Sequence, residues 1–420
     1  MTERRVANFA AALASLPRAV WLLSAISLLN DSASDLVYPL LPLYVAGVLA
    51  AGPRALGVIE GAAEATSALL KLVSGVWYDR VRRAKPFVVA GYSLAAIARP
   101  LMALVALWPA VLLLRVLDRI GKGLRSSPRD ALLAQAVAPA QRGLAFGVHR
   151  ACDNAGAVIG PLLASLLLGL HVPIRDILLW AAVPGALCVL LTFAVREPRL
   201  PPRTEALAAT AANIAAEPAA RNWRWTTLPL PFRRLLRVVG LFALGNSSNA
   251  FLLLRGSDLG LSPAQVALWW ALASGTATLL LAPLSSWSDR VGRLRLIAIG
   301  WALYVALYLA LALTTSVLIY WALALVLGLF MASTEGAERA LIADLVPARQ
   351  LGSAYGWFYL INGVVLFPAS ALFGTLWQGA GAALAFAFGA LCAAAALVLL
   401  RLTLGSLWPR RSALTTNAGR

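Results

Sequence analysis

The stretch Ser74-Gly75-Val76-Trp77-Tyr78-Asp79-Arg80 ends an apolar run in a burst of charge, with Arg82, Arg83 and Lys85 close behind. The pattern returns at Ser285-Ser286-Trp287-Ser288-Asp289-Arg290, Asp289 lying 210 positions after Asp79. A second match keeps nearly the same offset. Asp130-Ala131-Leu132, Pro139, Gly143 and Gly147 correspond to Arg339-Ala340-Leu341, Pro347, Gly352 and Gly356, 208 to 209 positions later. One coincidence is easily found by chance, whereas two at one offset make the chain a duplication of a single unit.

The composition says what that unit is made of. Of 420 residues, 60% are hydrophobic and 13% charged, against roughly 45–50% and 25% in soluble domains; mean hydropathy is +0.78. A soluble protein needs a charged skin, so this composition excludes one. Apolar runs of 20–25 residues recur from Ala19 to Leu402, each able to cross a hydrocarbon core of roughly 30 Å as a helix. Hydropathy predicts twelve spans near 19–49, 55–78, 86–108, 109–137, 142–170 and 174–195, then 235–257, 263–287, 294–314, 316–343, 351–379 and 381–402. The expected architecture is an all-α integral membrane protein of twelve transmembrane helices in two pseudo-symmetric six-helix bundles, residues 1–195 and 235–402. Residues 196–234, with Pro198, Pro201, Pro202, Pro218, Pro229 and Pro231, read as a cytoplasmic linker bearing a surface helix around Glu205–Ala216. Residues 403–420 read as a cytoplasmic tail, and Met1–Pro17 as a cytoplasmic lead-in rather than a cleaved signal.

The net charge of +18, from 36 basic and 18 acidic residues, is spread in small groups between spans, which argues for membrane topology and against nucleic acid. Arg80, Arg82, Arg83 and Lys85, then Arg290, Arg293 and Arg295, and finally Arg410 and Arg411 fall on one side; Trp108-Pro109 carries no charge and Ala50–Ala55 only Arg54. The positive-inside rule places both termini in the cytoplasm. Cys152, Cys188 and Cys392 sit inside apolar segments, and the two histidines are far apart, so neither a disulfide framework nor a metal site is expected. Gly121-Lys122-Gly123 lacks the spacing of a phosphate-binding loop. Nothing else resembles a nucleophile–base pair, so no enzyme activity and no cofactor are expected. A channel is the remaining class, and it would not need duplicated charge motifs at its loops.

Ionisable side chains at membrane depth cost about 2.5–3.5 kcal/mol each on insertion scales, so each needs a reason. Asp31 and Asp35 lie one turn apart on a face shared with Tyr38, and Glu60, Glu64 and Lys71 share a face of the second span. Arg99 is midway along the third span. Arg115, Asp118, Arg119 and Lys122 make a stripe at i, i+3, i+4 and i+7 in the fourth, and His149, Arg150, Asp153 and Asn154 lie in the fifth. The second half is drier, with Asn246, Ser247, Ser248 and Asn249 in span seven and Glu335, Glu338 and Arg339 in span ten. Burial disfavours a charged carboxylate and a nearby cation restores it, so a cavity that changes those neighbours loads and releases a proton. Asp31, Asp35 and Asp118, beside Arg115 and Arg119, are the expected coupling groups; the competing reading is that these charges form fixed pairs that hold the bundle together. Glu60 and Glu64, near the outer end of their span, are expected to meet water, and His149 to make a structural hydrogen bond.

These residues resemble the major facilitator superfamily. Gly75-x-x-x-Asp79-Arg80-x-x-Arg83 is similar to its loop signature after span two, and Asp289-Arg290-Val291-Gly292-Arg293 to the copy after span eight, although Arg82 replaces the usual glycine. Leu29-Asn30-Asp31, Tyr38-Pro39-Leu40-Leu41-Pro42, Arg115 with Asp118-Arg119-Ile120-Gly121-Lys122-Gly123, and Gly156-Ala157-Val158-Ile159-Gly160-Pro161 resemble a bacterial branch grouped with drug–proton antiporters. Asp118-Arg119 stands where Gln-Gly is commoner in that branch, and Leu162-Leu163-Ala164 lacks its further glycines. The resemblance implies a monomeric secondary transporter of the bacterial inner membrane that works by alternating access and takes a small-molecule substrate, protons and surrounding lipid as partners. It implies proton-coupled export, with a cavity lined by Asp31, Asp35, Tyr38, Glu60, Glu64, Arg99, Arg115, Asp118, Arg119, Asp153 and Asn246. It also implies cytoplasmic latches at Asp79, Arg80, Asp289 and Arg290, and a hinge in span five at Gly156, Gly160 and Pro161. The alternative is an organic-anion or phosphorylated-metabolite transporter that uses the arginines of spans three and four, since arginine forks suit such groups.

Overall fold

The computed structural model of the protein describes residues 13–81, 83–138, 141–196, 225–347 and 350–405. The predicted surface helix in the linker, Arg82 and most of the tail lie outside these residues. Helix α1 is Arg18–Val37, carried on by the short turns Leu41–Leu43 and Tyr44–Val48; α2 is Pro53–Val81, α3 Lys85–Leu101, α4 Trp108–Gln135 and α5 Arg142–Gly169. Helix α6 comes in two pieces, Ile174–Trp180 and Ala182–Ala194, as does α7, Leu230–Gly245 and Ala250–Asp258. Helices α8 Pro263–Val291, α9 Arg293–Leu313, α10 Val317–Leu345, α11 Leu351–Ala380 and α12 Ala382–Leu404 complete the described residues. Helix starts are marked by proline in the first turn, as at Pro53 and Pro263, where the missing N–H costs nothing. Ser262 adds a capping box: its Oγ accepts from the Gln265 N–H at 3.3 Å, and Gln265 Oε1 accepts from the Ser262 N–H at 2.9 Å.

Among the described residues, 9 helical segments are long and apolar enough to cross a membrane, and they correspond to α3 and α5 through α12. The three that fall short are α1, α2 and α4. These carry Asp31 and Asp35, then Glu60, Glu64 and Lys71, then the stripe from Arg115 to Lys122. The interior charge is therefore concentrated on three neighbouring elements of the first half.

The duplication is visible in the backbone. Pro53–Val81 and Pro263–Val291 are offset by 210 at both ends. Ala50 (φ 51°) precedes α2 in a left-handed turn that Gly260 (φ 86°) repeats before α8, and His171 (φ 62°) stands where Gly381 (φ 88°) does in the second half. Packing repeats as well. Helix α1 lies on α5 and α6, α4 on α2 and α3, and α3 on α6; correspondingly α7 lies on α11 and α12, α10 on α8 and α9, and α9 on α12. Two seams join the sets, α2 against α11 and α5 against α8, which are each other's image under the same duplication. The α2–α11 seam is tight: a Cβ on Gly61 would meet the Phe367 backbone at 2.9 Å.

The halves are filled differently. Inside the second, aromatic rings stack, Phe242 on Trp301 with centroids 4.3 Å apart and Tyr304 on Tyr308 at 4.1 Å. Inside the first, the corresponding space holds charge.

Candidate functional site

Asp118 on α4 is fully buried at the centre of an ionic lattice. Its Oδ1 accepts from Arg99 Nε of α3 at 2.9 Å, and its Oδ2 from Arg115 Nη1 and Arg119 Nη1, both at 3.3 Å. Arg115 Nε donates to Glu60 Oε1 of α2 at 2.8 Å, and Arg119 Nε lies 2.8 Å from Glu64 Oε1. Arg99 Nη1 reaches α1, donating to the Asn30 carbonyl at 3.0 Å and to Asn30 Oδ1 at 3.1 Å. Three guanidiniums and three carboxylates thus neutralise one another. The helical stripe explains this: residues at i, i+3 and i+4 put Arg115, Asp118 and Arg119 on one face, toward the carboxylates of α2.

The expectation that Glu60 meets water is corrected here. It is 1% exposed, because Arg115 holds it inside; Glu64 stays 28% exposed at the edge of the lattice. Glu60 also reaches the second half, its Oε2 accepting from Ser248 Oγ of α7 at 3.4 Å.

The lattice leaves other charges over, the buried Arg125 of α4 among them. Asp31 and Asp35 are half-buried, and neither has a basic group at ion-pair distance among the described residues; Asp31 Oδ1 accepts only from Asn30 Nδ2 at 2.7 Å. Lys71 and Lys122, also half-buried, have no acidic partner there. Tyr38, one turn beyond Asp35, has its ring centroid 5.2 Å from that of Trp270 on α8 and lies under the Arg115 guanidinium at 5.7 Å. Trp270 stands beside Asp35 as a side-chain hydrogen-bond donor. Helical spacing could not join Trp270 to Asp35 and Tyr38, since the contact crosses between α1 and α8.

Asn246 lies apart from the charges. It opens the unwound stretch 246–249 of α7, and its Oδ1 accepts from the Tyr304 hydroxyl at 3.2 Å. On α5, Gly156 and Gly160 press against α1, where a Cβ on Gly160 would sit 2.6 Å from the Leu36 nitrogen; the helix continues unbroken through Pro161. Asp153 lies 3.8 Å from His149 Nε2 and 3.7 Å from Arg150 Nη1. The expected structural hydrogen bond of His149 is not formed: neither ring nitrogen has a partner among the described residues. Arg150 pairs across the halves with Glu335 of α10, which Arg339 Nη2 also holds at 2.9 Å. The side chains of Asp79, Arg80, Asp289 and Arg290 lie outside the described ones.

The chain is similar to known proteins in sequence and in fold. The family model described as Major Facilitator Superfamily matches residues 20–248 and 235–419. An uncharacterised MFS-type transporter of Methanocaldococcus jannaschii is 30% identical over 371 residues, covering 86% of this chain and 89% of its own. The multidrug resistance protein MdtH of Klebsiella pneumoniae is 29% identical over 338 residues, 76% of this chain and 77% of its own. In fold, the chain is similar to the crystal structure of the nucleoside transporter NupG, with a TM-score of 0.72 over 92% of this chain and 99% of that one at 14% identity.

Proposed function

We propose that this chain, which belongs to the Major Facilitator Superfamily, is a twelve-span secondary transporter that exports small organic compounds in exchange for protons. Two six-helix bundles, split at the linker, rock about the α2–α11 and α5–α8 seams, so that a mid-depth hollow opens to either side in turn. Both termini lie in the cytoplasm of a bacterial inner membrane, and one copy suffices. Asp79 latches onto the start of α11 and Asp289 onto the start of α5, each carboxylate drawn to a helix N-terminus.

One observation carries the reading: ion pairs hold Arg99, Arg115 and Arg119 against Asp118, Glu60 and Glu64, while Asp31 and Asp35 have no basic group at ion-pair distance among the described residues and stay half-buried. A carboxylate gripped by three guanidiniums is held as an ion pair here, so the reading gives the coupling role to the two aspartates of α1 rather than to Asp118. The aromatic wall of Tyr38 and Trp270 beside Asp35 suits a planar cation. The likeness to a multidrug resistance protein supports export.

A second reading rests on Lys71 and Lys122. Arg99, Arg115 and Arg119 are committed to carboxylates of the protein, so an organic anion would be met by these two lysines instead.

Purified protein in liposomes with an imposed pH gradient separates the two. Ethidium accumulation driven by the gradient, lost in Asp31→Asn and Asp35→Asn, is the expected result. Gradient-independent uptake of carboxyfluorescein, lost in a Lys71→Gln/Lys122→Gln double variant, would replace export of cations by anion transport.

A further inference from the structure

We propose that His149 and Asp153 of α5 relay protons from the cytoplasmic side to Asp31 through a hydrated seam between α1, α4 and α5, separate from the Asp35–Tyr38–Trp270 wall. The inference rests on the proton-coupled reading above and adds a route to it.

The carboxylate of Asp118 accepts from three guanidiniums, whereas the acid and the imidazole beneath it have no hydrogen-bonding cation of this kind. His149 is 3% exposed and Asp153 8%, yet His149 Nδ1, His149 Nε2 and Asp153 Oδ1 have no hydrogen-bond partner among the described residues. The same is true of Arg125 Nη1 and the Tyr92 hydroxyl, although Arg125 stacks over the Tyr92 ring at 4.6 Å. Leaving a buried polar group unmade costs about 1–3 kcal/mol, and polar, roomy sites meet that cost with water making 2–4 hydrogen bonds. The 3.8 Å from His149 Nε2 to Asp153 Oδ1 is too long for a direct hydrogen bond, so each atom is left to find water of its own.

Register supplies the direction. His149, Asp153 and Gly156 occupy i, i+4 and i+7, one face of α5 climbing about 10 Å from the cytoplasmic third toward the middle. At the top of that face the missing side chain of Gly156 admits α1: a Cβ there would stand 2.9 Å from Asp31 Cβ. Asp31 is thus the next acceptor on the climb, and Asp153 is the charge that bears on it most strongly.

The surroundings are mixed in sign. Arg125, Arg129 and Lys122 of α4 act on Asp31 from one side; Arg129 and Asp130 of α4, Asp31 of α1 and Arg150 of α5 act on His149. Arg129 is occupied by Ser27 Oγ at 3.0 Å and by Asp130 Oδ1 at 2.9 Å, and Arg150 by Glu335. Asp153 has only the long pair with Arg150 at 3.7 Å, and Asp31 has no cation at ion-pair distance among the described residues, unlike Asp118 with its three arginines.

The test is the rate at which Asp31 takes up a proton after a pH step. Time-resolved infrared spectroscopy of the full chain in lipid nanodiscs would follow the carboxylic acid band that Asp31→Asn removes. Asp153→Asn, His149→Phe and His149→Gln are expected to slow its rise by about tenfold or more without changing its final amplitude. Imidazole in the buffer should restore the rate in the His149 variants. A purely structural role would alter the amplitude and would not respond to imidazole. Wild-type rates in all variants, or slowing that imidazole leaves unchanged, would overturn the relay and leave the coupling proposal standing. An Asp31 band that never titrates would overturn both.

Discussion

At the scale of single residues, the structure divides one set of charges into two kinds. Asp118→Asn leaves Arg99, Arg115 and Arg119 short of a shared partner in a buried site, and removing one member of a buried pair costs about 3–5 kcal/mol. Asp35→Asn removes a charge that no basic group holds. The expected outcome is a large drop in thermal midpoint for Asp118→Asn in detergent and little change for Asp35→Asn; equal melting would remove the distinction. The sequence showed which residues were charged and which shared a helical face, because spacing fixes that. It left open which were paired, because a partner on another helix has no signature in spacing. A second residue-scale prediction follows from the turns. Ala50 and His171 hold left-handed φ where the second half has Gly260 and Gly381, and a side chain there costs roughly 1–2 kcal/mol. Ala50→Gly and His171→Gly should each raise the thermal midpoint, by about 0.5–1 kcal/mol once the looser unfolded chain is counted.

At the scale of elements, helix α7 is the one whose form was least legible. A hydropathy window averages Asn246-Ser247-Ser248-Asn249 into an apolar span, and no proline or glycine within those four residues announces the break. The structure shows why the break is stable. The Tyr304 hydroxyl donates to the Gly245 carbonyl at 3.3 Å, Ser247 Oγ and the Tyr308 hydroxyl are 3.3 Å apart, and the Ser248 N–H donates to Ser370 Oγ at 3.1 Å. Freed backbone groups are thus taken up by α9 and α11, as irregular backbone at membrane depth requires. By contrast, Gly156-x-x-x-Gly160 was readable as a close-packing motif, and only its partner, α1, awaited coordinates. Gly160→Leu should therefore fail at that seam. With the Leu36 nitrogen at 2.6 Å from the first added carbon, overpacking costs of about 1–3 kcal/mol are the minimum. A broadened, earlier size-exclusion profile and a lowered melting midpoint would report it, and an unaltered profile would place α1 elsewhere.

For the whole molecule, the duplication explains why two seams suffice: α2–α11 and α5–α8 are the same contact made twice, so opening one side need not disturb the other. At the end of the seam where α5 begins, a polar tie accompanies it. Arg150 of α5 pairs with Glu335 of α10, and Arg339 braces Glu335 from one turn along. The chain carries its own reporter for that tie. Cys152 lies two residues from Arg150 and is half-buried, while Cys188 and Cys392 are 2% and 8% exposed. An exposed or half-exposed ion pair contributes little to folding, so Glu335→Gln should leave melting nearly unchanged. It should still weight the population toward states in which the halves part at that end, since the pair is made only when α5 and α10 are together. Maleimide labelling of Cys152 is therefore expected to speed up several-fold in Glu335→Gln, with Cys188 and Cys392 remaining slow as internal controls. Faster labelling of all three would mean general loosening of the fold. An unchanged Cys152 rate would mean that the Arg150–Glu335 pair holds nothing closed, and that the seam between α5 and α8 closes by packing alone.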